Sequence, residues 1–242
     1  MELRKFWVNS MDTAKDTRIL ILEDALRRLT EVVNNRKLKF HVDYSSLIEQ
    51  IKTAGSLIYE VKYSYQPASQ LAESEPTLNL IKAINQFEEI FTKALSSTAY
   101  SPKSLNEKLV LADIRYSLLV TNRFLDKLKN SDDDPAHAID VLALELTEIN
   151  FIEGSKNLSE CRCTDGKRIW PIVTNIQGLK KGTKLAAGIL PPVEMMGVVS
   201  EAMFLGSTPL SESTDLGILV DLPEPIKDQA RAQALQITKR MT

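Results

Sequence analysis

Apolar positions along this chain follow two rhythms, one helical in the first half and one strand-like in the second. Ile19, Leu22, Leu26, Leu29 and Val33 recur at alternating spacings of three and four, along one face of a helix that begins near Asp12 and ends at Asn34-Asn35. Ahead of it, Phe6, Trp7 and Val8 form an apolar group that caps that helix or packs onto it. A second helix follows the N-cap Asp43 and carries Leu47, Ile51, Ala54, Ile58, Val61 and Tyr65 until Pro67 stops it. Pro76 suits the first turn of a third, with Leu80, Ile84, Phe87, Phe91 and Ala94 on its stripe. A fourth opens at Ser101-Pro102 and carries Leu105, Leu109, Ala112, Tyr116 and Leu119 before fading near Lys129. Four amphipathic helices of similar length with short connections predict an antiparallel bundle, whose stripes are either its core or a partner-binding surface.

Asn130 to Pro135 concentrates repelling charge and a proline that disfavours helix, which marks a domain boundary. Ile139, Val141, Ala143, Glu145 and Thr147 beyond it fit helix or strand by periodicity alone. Leu158 to Thr164 reads as a strand, and Asp165-Gly166 as a hairpin turn into Lys167 to Val173. Gly178 and Leu179-Lys180-Lys181-Gly182 close that strand with residues that permit tight turns. Leu185 to Leu190 is a buried strand that Pro191-Pro192 ends, because neither proline donates to a ladder. After Gly197, the run Val198-Val199 resumes at Met203-Phe204-Leu205, interrupted by Ser200-Glu201. Short strands at this spacing, punctuated by glycine, predict a small antiparallel barrel. Past Leu210 come a polar stretch, an apolar run from Leu216 to Val220 that reads as an extra strand, and a helical segment from Pro225 to Arg240.

With 242 residues, 43% of them hydrophobic, the chain is long and apolar enough for two cores. No apolar run approaches the roughly 20 residues of a membrane span, and the opening MELRKFWVNSMDTAKD lacks the apolar centre of a secretory signal, so the expected location is the cytoplasm. The net charge of −2 argues against indiscriminate attraction to nucleic acid. Residues 151–210 nevertheless hold seven Lys/Arg against five Asp/Glu, an excess of +2 that leaves −4 elsewhere. Such a distribution suits a shape-selective binder. Arg27-Arg28, Arg36-Lys37, Lys39, Lys127 and Lys129 either extend that footprint or are solvated helix faces.

Cys161 and Cys163, two apart, point to one face of a strand and do not readily pair with each other; they read as reduced thiols. With only His41 and His137 besides, neither a metal site nor a catalytic base is indicated, and no nucleotide-binding loop, metalloprotease helix or serine elbow is present. The reading is of a protein that is not an enzyme and needs no cofactor.

Asn175-Ile176, Leu179-Lys180-Lys181-Gly182, Leu190-Pro191-Pro192, and Gly197-Val198-Val199-Ser200 with Met203 three residues on, together resemble the tRNA-binding OB-domain family. That family occurs fused to methionyl-tRNA synthetases and the phenylalanyl-tRNA synthetase beta chain, as free-standing tRNA-binding proteins, and in the endothelial monocyte-activating polypeptide. The likeness extends more weakly back to Ala138 and suggests an archaeal-type free-standing member with a helical N-terminal domain. It implies an α+β fold: a helical bundle over 1–134, an OB-fold β-barrel over 137–222, and a C-terminal helical extension over 223–242. Ile139 to Thr147 then becomes the first barrel strand and Ile152 to Leu158 the loop after it.

The resemblance also implies tRNA as partner, a homodimer, and an aminoacyl-tRNA synthetase as a further partner. It nominates Asn175, Ser200 and Met203 as RNA-binding, and on such a barrel Lys156, Arg162, Lys167, Arg168, Lys180, Lys181 and Lys184 are the candidate phosphate contacts. The sequence departs from the family at Val193-Glu194-Met195-Met196, where many members are basic, and at Ala202, where a glycine is usual; Asn157 stands beside Lys156 where a lysine is common. These departures predict weaker tRNA binding than is usual for the family. The rival expectation is a protein-interaction or chaperone-like module on the same fold, with Met195, Met196 and Met203 as an adaptable apolar surface.

Overall fold

The computed structural model describes residues 11–239; Phe6 to Val8 and Arg240 lie outside the described residues. A helical region over residues 17–130 precedes a six-stranded antiparallel sheet, so the chain is an α+β protein. Helix α1 (Thr17–Asn34) starts later than Asp12 because its cap is Asp16, whose carboxylate accepts the Arg18 and Ile19 amides. Asp43 caps α2 (Tyr44–Lys62) through the Ser45 and Ser46 amides. That helix stops short of Pro67, and Tyr65 is off the stripe: its φ of 52° is left-handed and its ring is exposed. A single turn, α3 (Ala68–Leu71), fills the interval before α4 (Glu75–Ser97), which buries Leu80, Ile84, Phe87 and Phe91 as expected.

Helix α5 (Leu105–Asn130) corrects the expected fourth helix in two ways. Ser104, not Ser101, is its cap: the Ser104 hydroxyl accepts the Glu107 amide, while the Glu107 carboxylate accepts from the Lys103 amide and the Tyr100 hydroxyl. Its buried residues, moreover, spread beyond a single stripe. Ile114, Phe124 and Leu128 are buried, whereas Leu105, Leu109 and Leu119 stay partly open. The cause is that α5 packs on α1, α3 and α4 on one side and on the sheet on the other. Each large side chain so buried contributes roughly 1.5–3 kcal/mol.

The sheet contains β1 (Val141–Phe151), β2 (Ser159–Thr164), β3 (Ile169–Thr174), β4 (Lys184–Met195), β5 (Val198–Phe204) and the two-residue β6 (Gly217–Ile218). Its hydrogen-bonded order is β3-β2-β1-β4-β5, with β6 on β1. A register shift between Leu146 and Glu148 bends β1, so its first half pairs with β4 and its second with β2. The two ends of the order lie side by side: β3 packs along β5, and the Ser200 hydroxyl accepts the Val173 amide at 3.0 Å. Contrary to expectation, Pro191-Pro192 does not end β4. Between Ile189↔Ala202 and Val193↔Ser200 the strand carries three residues opposite Glu201 alone, and this bulge holds the prolines where no ladder donor is required. Of the expected last strand, Gly217-Ile218 pair with β1 and the Leu219 amide donates to the Val141 carbonyl, while Val220 is exposed.

The acidic stretch after α5 is a fastened joint. Arg18, buried against Asp16 (Nη2 to Oδ2, 2.7 Å), donates Nη1 to the carbonyls of Lys127, Ser131 and Asp132. Lys127, also buried, donates to the Ala138 carbonyl at 3.0 Å and sits 3.3 Å from Asp140. Asp134 caps the 3-10 turn Pro135–Ala138 and is clasped by Arg231 at 2.8 Å and Lys227 at 3.2 Å, which fastens α6 (Glu224–Thr238) to the joint.

Arg231 holds the Asp134 carboxyl well below the usual carboxylate range, helped by the Ala136 amide and Lys227. A depressed folded pKa means this clasp is fully stabilising above about pH 4 and is lost as pH falls through the folded value. Arg231→Ala should lower Tm only slightly, since the pair is partly solvated. Hydrogen exchange should show α6 amides deprotected first, both in this variant and in the native protein under acid.

Candidate functional site

Three connections gather at one end of the sheet. Ser159 pairs with Thr174, so the β1–β2 loop (Ile152–Leu158) and the start of the β3–β4 loop emerge together. Gln177 Nε2 joins them by donating to the Asn157 carbonyl at 3.1 Å. The β4–β5 turn is the third: Met196 (φ 50°) and Gly197 (φ 84°) form a two-residue hairpin connection with both angles positive, and the Gly197 amide bonds Glu194 at 2.7 Å. A Cβ placed on Gly154 would lie 3.8 Å from Met196 Cε, so this turn lies against the β1–β2 loop.

Beside these loops, bounded by β3, β4, β5 and α6, is a cavity of about 770 Å³. Asn175, Ser200 and Met203 all line it, although they come from separate stretches of sequence. Asn175 is exposed and Met203 half-buried where they line the cavity. Ser200 is different. At 4% exposure its hydroxyl accepts the Val173 amide and donates to the Ala202 carbonyl, so it joins β3 to β5. Val193 and Met195 line the cavity with exposed side chains, and Phe151 (63% exposed) and Met196 are open apolar side chains at the same end of the sheet.

The nominated cations do not converge. Lys156 belongs to the β1–β2 loop, near the cavity, whereas Lys167 sits at the far turn of the β2–β3 ladder. Six paired positions separate those ends, roughly 20 Å at about 3.3 Å per residue. Arg168 is engaged within the fold: it pairs with Glu201, which also takes Arg115 of α5 at 2.5 Å, and its guanidinium lies 3.8 Å over the Trp170 ring. Lys184 donates to the Glu212 and Thr214 carbonyls, both at 2.7 Å, and ties down the segment after β5. Lys156, Lys167, Lys180 and Lys181 are exposed and make no ion pair with a described residue. In the helical region, Arg27 and Arg28 are held by Asp24, Lys37 by Glu31, and Lys127 is buried, whereas Arg36, Lys39 and Lys129 are exposed.

Sequence reasoning did not find Phe151 or the three glutamines, Gln229, Gln233 and Gln236, that α6 lends to the cavity wall. Their i, i+4, i+7 spacing marks them as one helix face. What that face looks onto is decided by the Asp134 clasp, far away in sequence.

Residues 10–130 match the family described as an alpha helical domain, and the chain belongs to that family. Among curated proteins none matches it.

Burial pushes the Cys161 thiol up to about 11 and the Cys163 thiol up to about 12, with Glu160 and Cys161 adding to the respective shifts. Neither should react with an alkylating reagent at pH 8 in the native protein, and both should react once denatured. Ser200→Ala leaves the buried Val173 amide without its acceptor and should cost about 1–3 kcal/mol, read as a lower denaturation midpoint. An unchanged midpoint accompanied by lost ligand binding would instead assign the hydroxyl to the ligand.

Proposed function

We propose that this protein is a non-catalytic binder of folded tRNA, with its sheet acting as an OB-type barrel and the three gathered loops and their cavity as the binding surface. The observation that carries the reading is convergence: Asn175, Ser200 and Met203, each nominated by resemblance, line one cavity. The strand order supports it too, since β3 lying along β5 is the neighbour relation by which such a sheet returns on itself. Folded RNA is recognised by phosphates together with unstacked bases. Lys156, Lys180 and Lys181 suit the first part; Phe151, Met195 and Met196 suit the second, as an apolar surface on which bases stack. Ser200 then acts by holding the cavity's shape. Because Arg168 and Lys184 are engaged internally, the phosphate contribution is modest.

A second reading is favoured by the same exposed Phe151, Val193, Met195 and Met196, which also suit a polypeptide segment or a synthetase surface. Titration with tRNA and with unstructured RNA across a salt series separates the two. Under the tRNA reading, folded tRNA binds more tightly, with a log–log salt slope no steeper than about −4. Lys156→Ala/Lys180→Ala/Lys181→Ala should weaken binding and flatten that slope by about 2–3. Equal, negligible affinity for both RNAs at low salt would refute the reading.

A further inference from the structure

We infer that α6 is a base-reading arm: the amides of Gln229, Gln233 and Gln236, which line the same cavity as Asn175, recognise the edge of an unpaired nucleobase. This rests on the tRNA reading and goes beyond it, because α6 lies outside the stretch that carries the family resemblance.

The chemistry of the cavity selects the ligand group. No charged side chain among the described residues lines it, so a phosphate entering would shed water without meeting a cation. Its volume of about 770 Å³ lies within the roughly 300–1,000 Å³ typical of sites for small organic groups. The strands and loops line it with apolar Leu158, Ile176, Leu190, Val193 and Met203 beside the polar Asn175, and α6 adds the three amides. A nucleobase has that same division, with apolar faces and an edge of donors and acceptors. An amide side chain carries one acceptor and a two-hydrogen donor, the set that pairs in bidentate fashion with a base edge.

The amides are available and held in place. Gln229, Gln233, Gln236 and the Asn175 side chain make no hydrogen bond to a described residue. Ala230, Ala234 and Ile237 bury the adjoining face of α6, and Arg231 ties it to Asp134, so the row is presented by a fixed helix. Fixing donors before the ligand arrives reduces the entropy lost on binding.

The full-length chain and its Gln229→Ala/Gln233→Ala/Gln236→Ala variant should be titrated with tRNA and with short single-stranded homopolymers of A, C and U. Gln229 and Gln236 are exposed and Gln233 half-buried, so the variant should melt with the wild type. The expected result is at least about a 10-fold loss of tRNA affinity with the salt slope unchanged, and loss of whatever preference the wild type shows among homopolymers. Wild-type affinity and preference in the variant would overturn the inference while leaving the tRNA reading intact. Failure of the wild type to bind any of these RNAs would overturn both. Glutamine-dependent binding of a carboxymethylated, unfolded polypeptide without RNA binding would assign the cavity to peptide and overturn this inference.

Discussion

The molecule hangs from the C-terminal end of α5. A helix end concentrates unpaired carbonyls and partial negative charge, and here its last turn buries Lys127 and Leu128. Arg18 meets it, with its own charge balanced by Asp16, while Lys127 turns the other way to the Ala138 carbonyl and Asp140. Burial draws the Lys127 pKa down, and Asp140 opposes that pull. Buried pairs of this kind give back little net stability, because desolvation consumes most of the attraction. Their effect is geometric: each charge has few acceptable partners, so the start of β1 has one direction of departure from the helices.

From that departure the cavity arises. Bending at the β1 bulge lets one strand serve both neighbours, and the proline bulge in β4 sets how β5 runs. The ends of the sheet are thereby brought together and held by Ser200. On the opposite side Glu201 gathers Arg115 from α5 and Arg168 from the β2–β3 turn, so the helices grip the sheet there as well. Asp134 completes the arrangement by holding α6 over the open side. Polar contacts thus tie the helical region to the sheet through Glu201 and α6 to the joint through Asp134, and the cavity wall draws on sheet and α6.

The cationic residues divide by what lies near them. Those within reach of a carboxylate or a free carbonyl, such as Arg28, Arg168 and Lys184, are drawn into the fold, where a charge-assisted bond outweighs hydration. Lys156, Lys167, Lys180 and Lys181 lie on loops and turns without such a neighbour and face water. A surface with few free charges beside an uncharged cavity is suited to selecting shape and bases more than to gripping phosphate.

Local chemistry was legible in the sequence. Helical spacing placed Ile19 to Val33 and Leu47 to Val61 on their buried faces, Asp43 announced its cap, and Asp165-Gly166 its turn, because each depends on neighbours within a few residues. The division into helices followed by strands was determined in the same way. Tertiary structure alone decided that α5 is buried on two sides, that Pro191-Pro192 lie within a strand, and that Arg168 and Lys184 are already partnered. It also decided that Asn175, Ser200 and Met203 meet a glutamine face more than twenty residues beyond them. The reason is the same in each case: a spacing rule reports which side of an element a residue occupies, whereas its partner is set by a contact between distant parts of the chain.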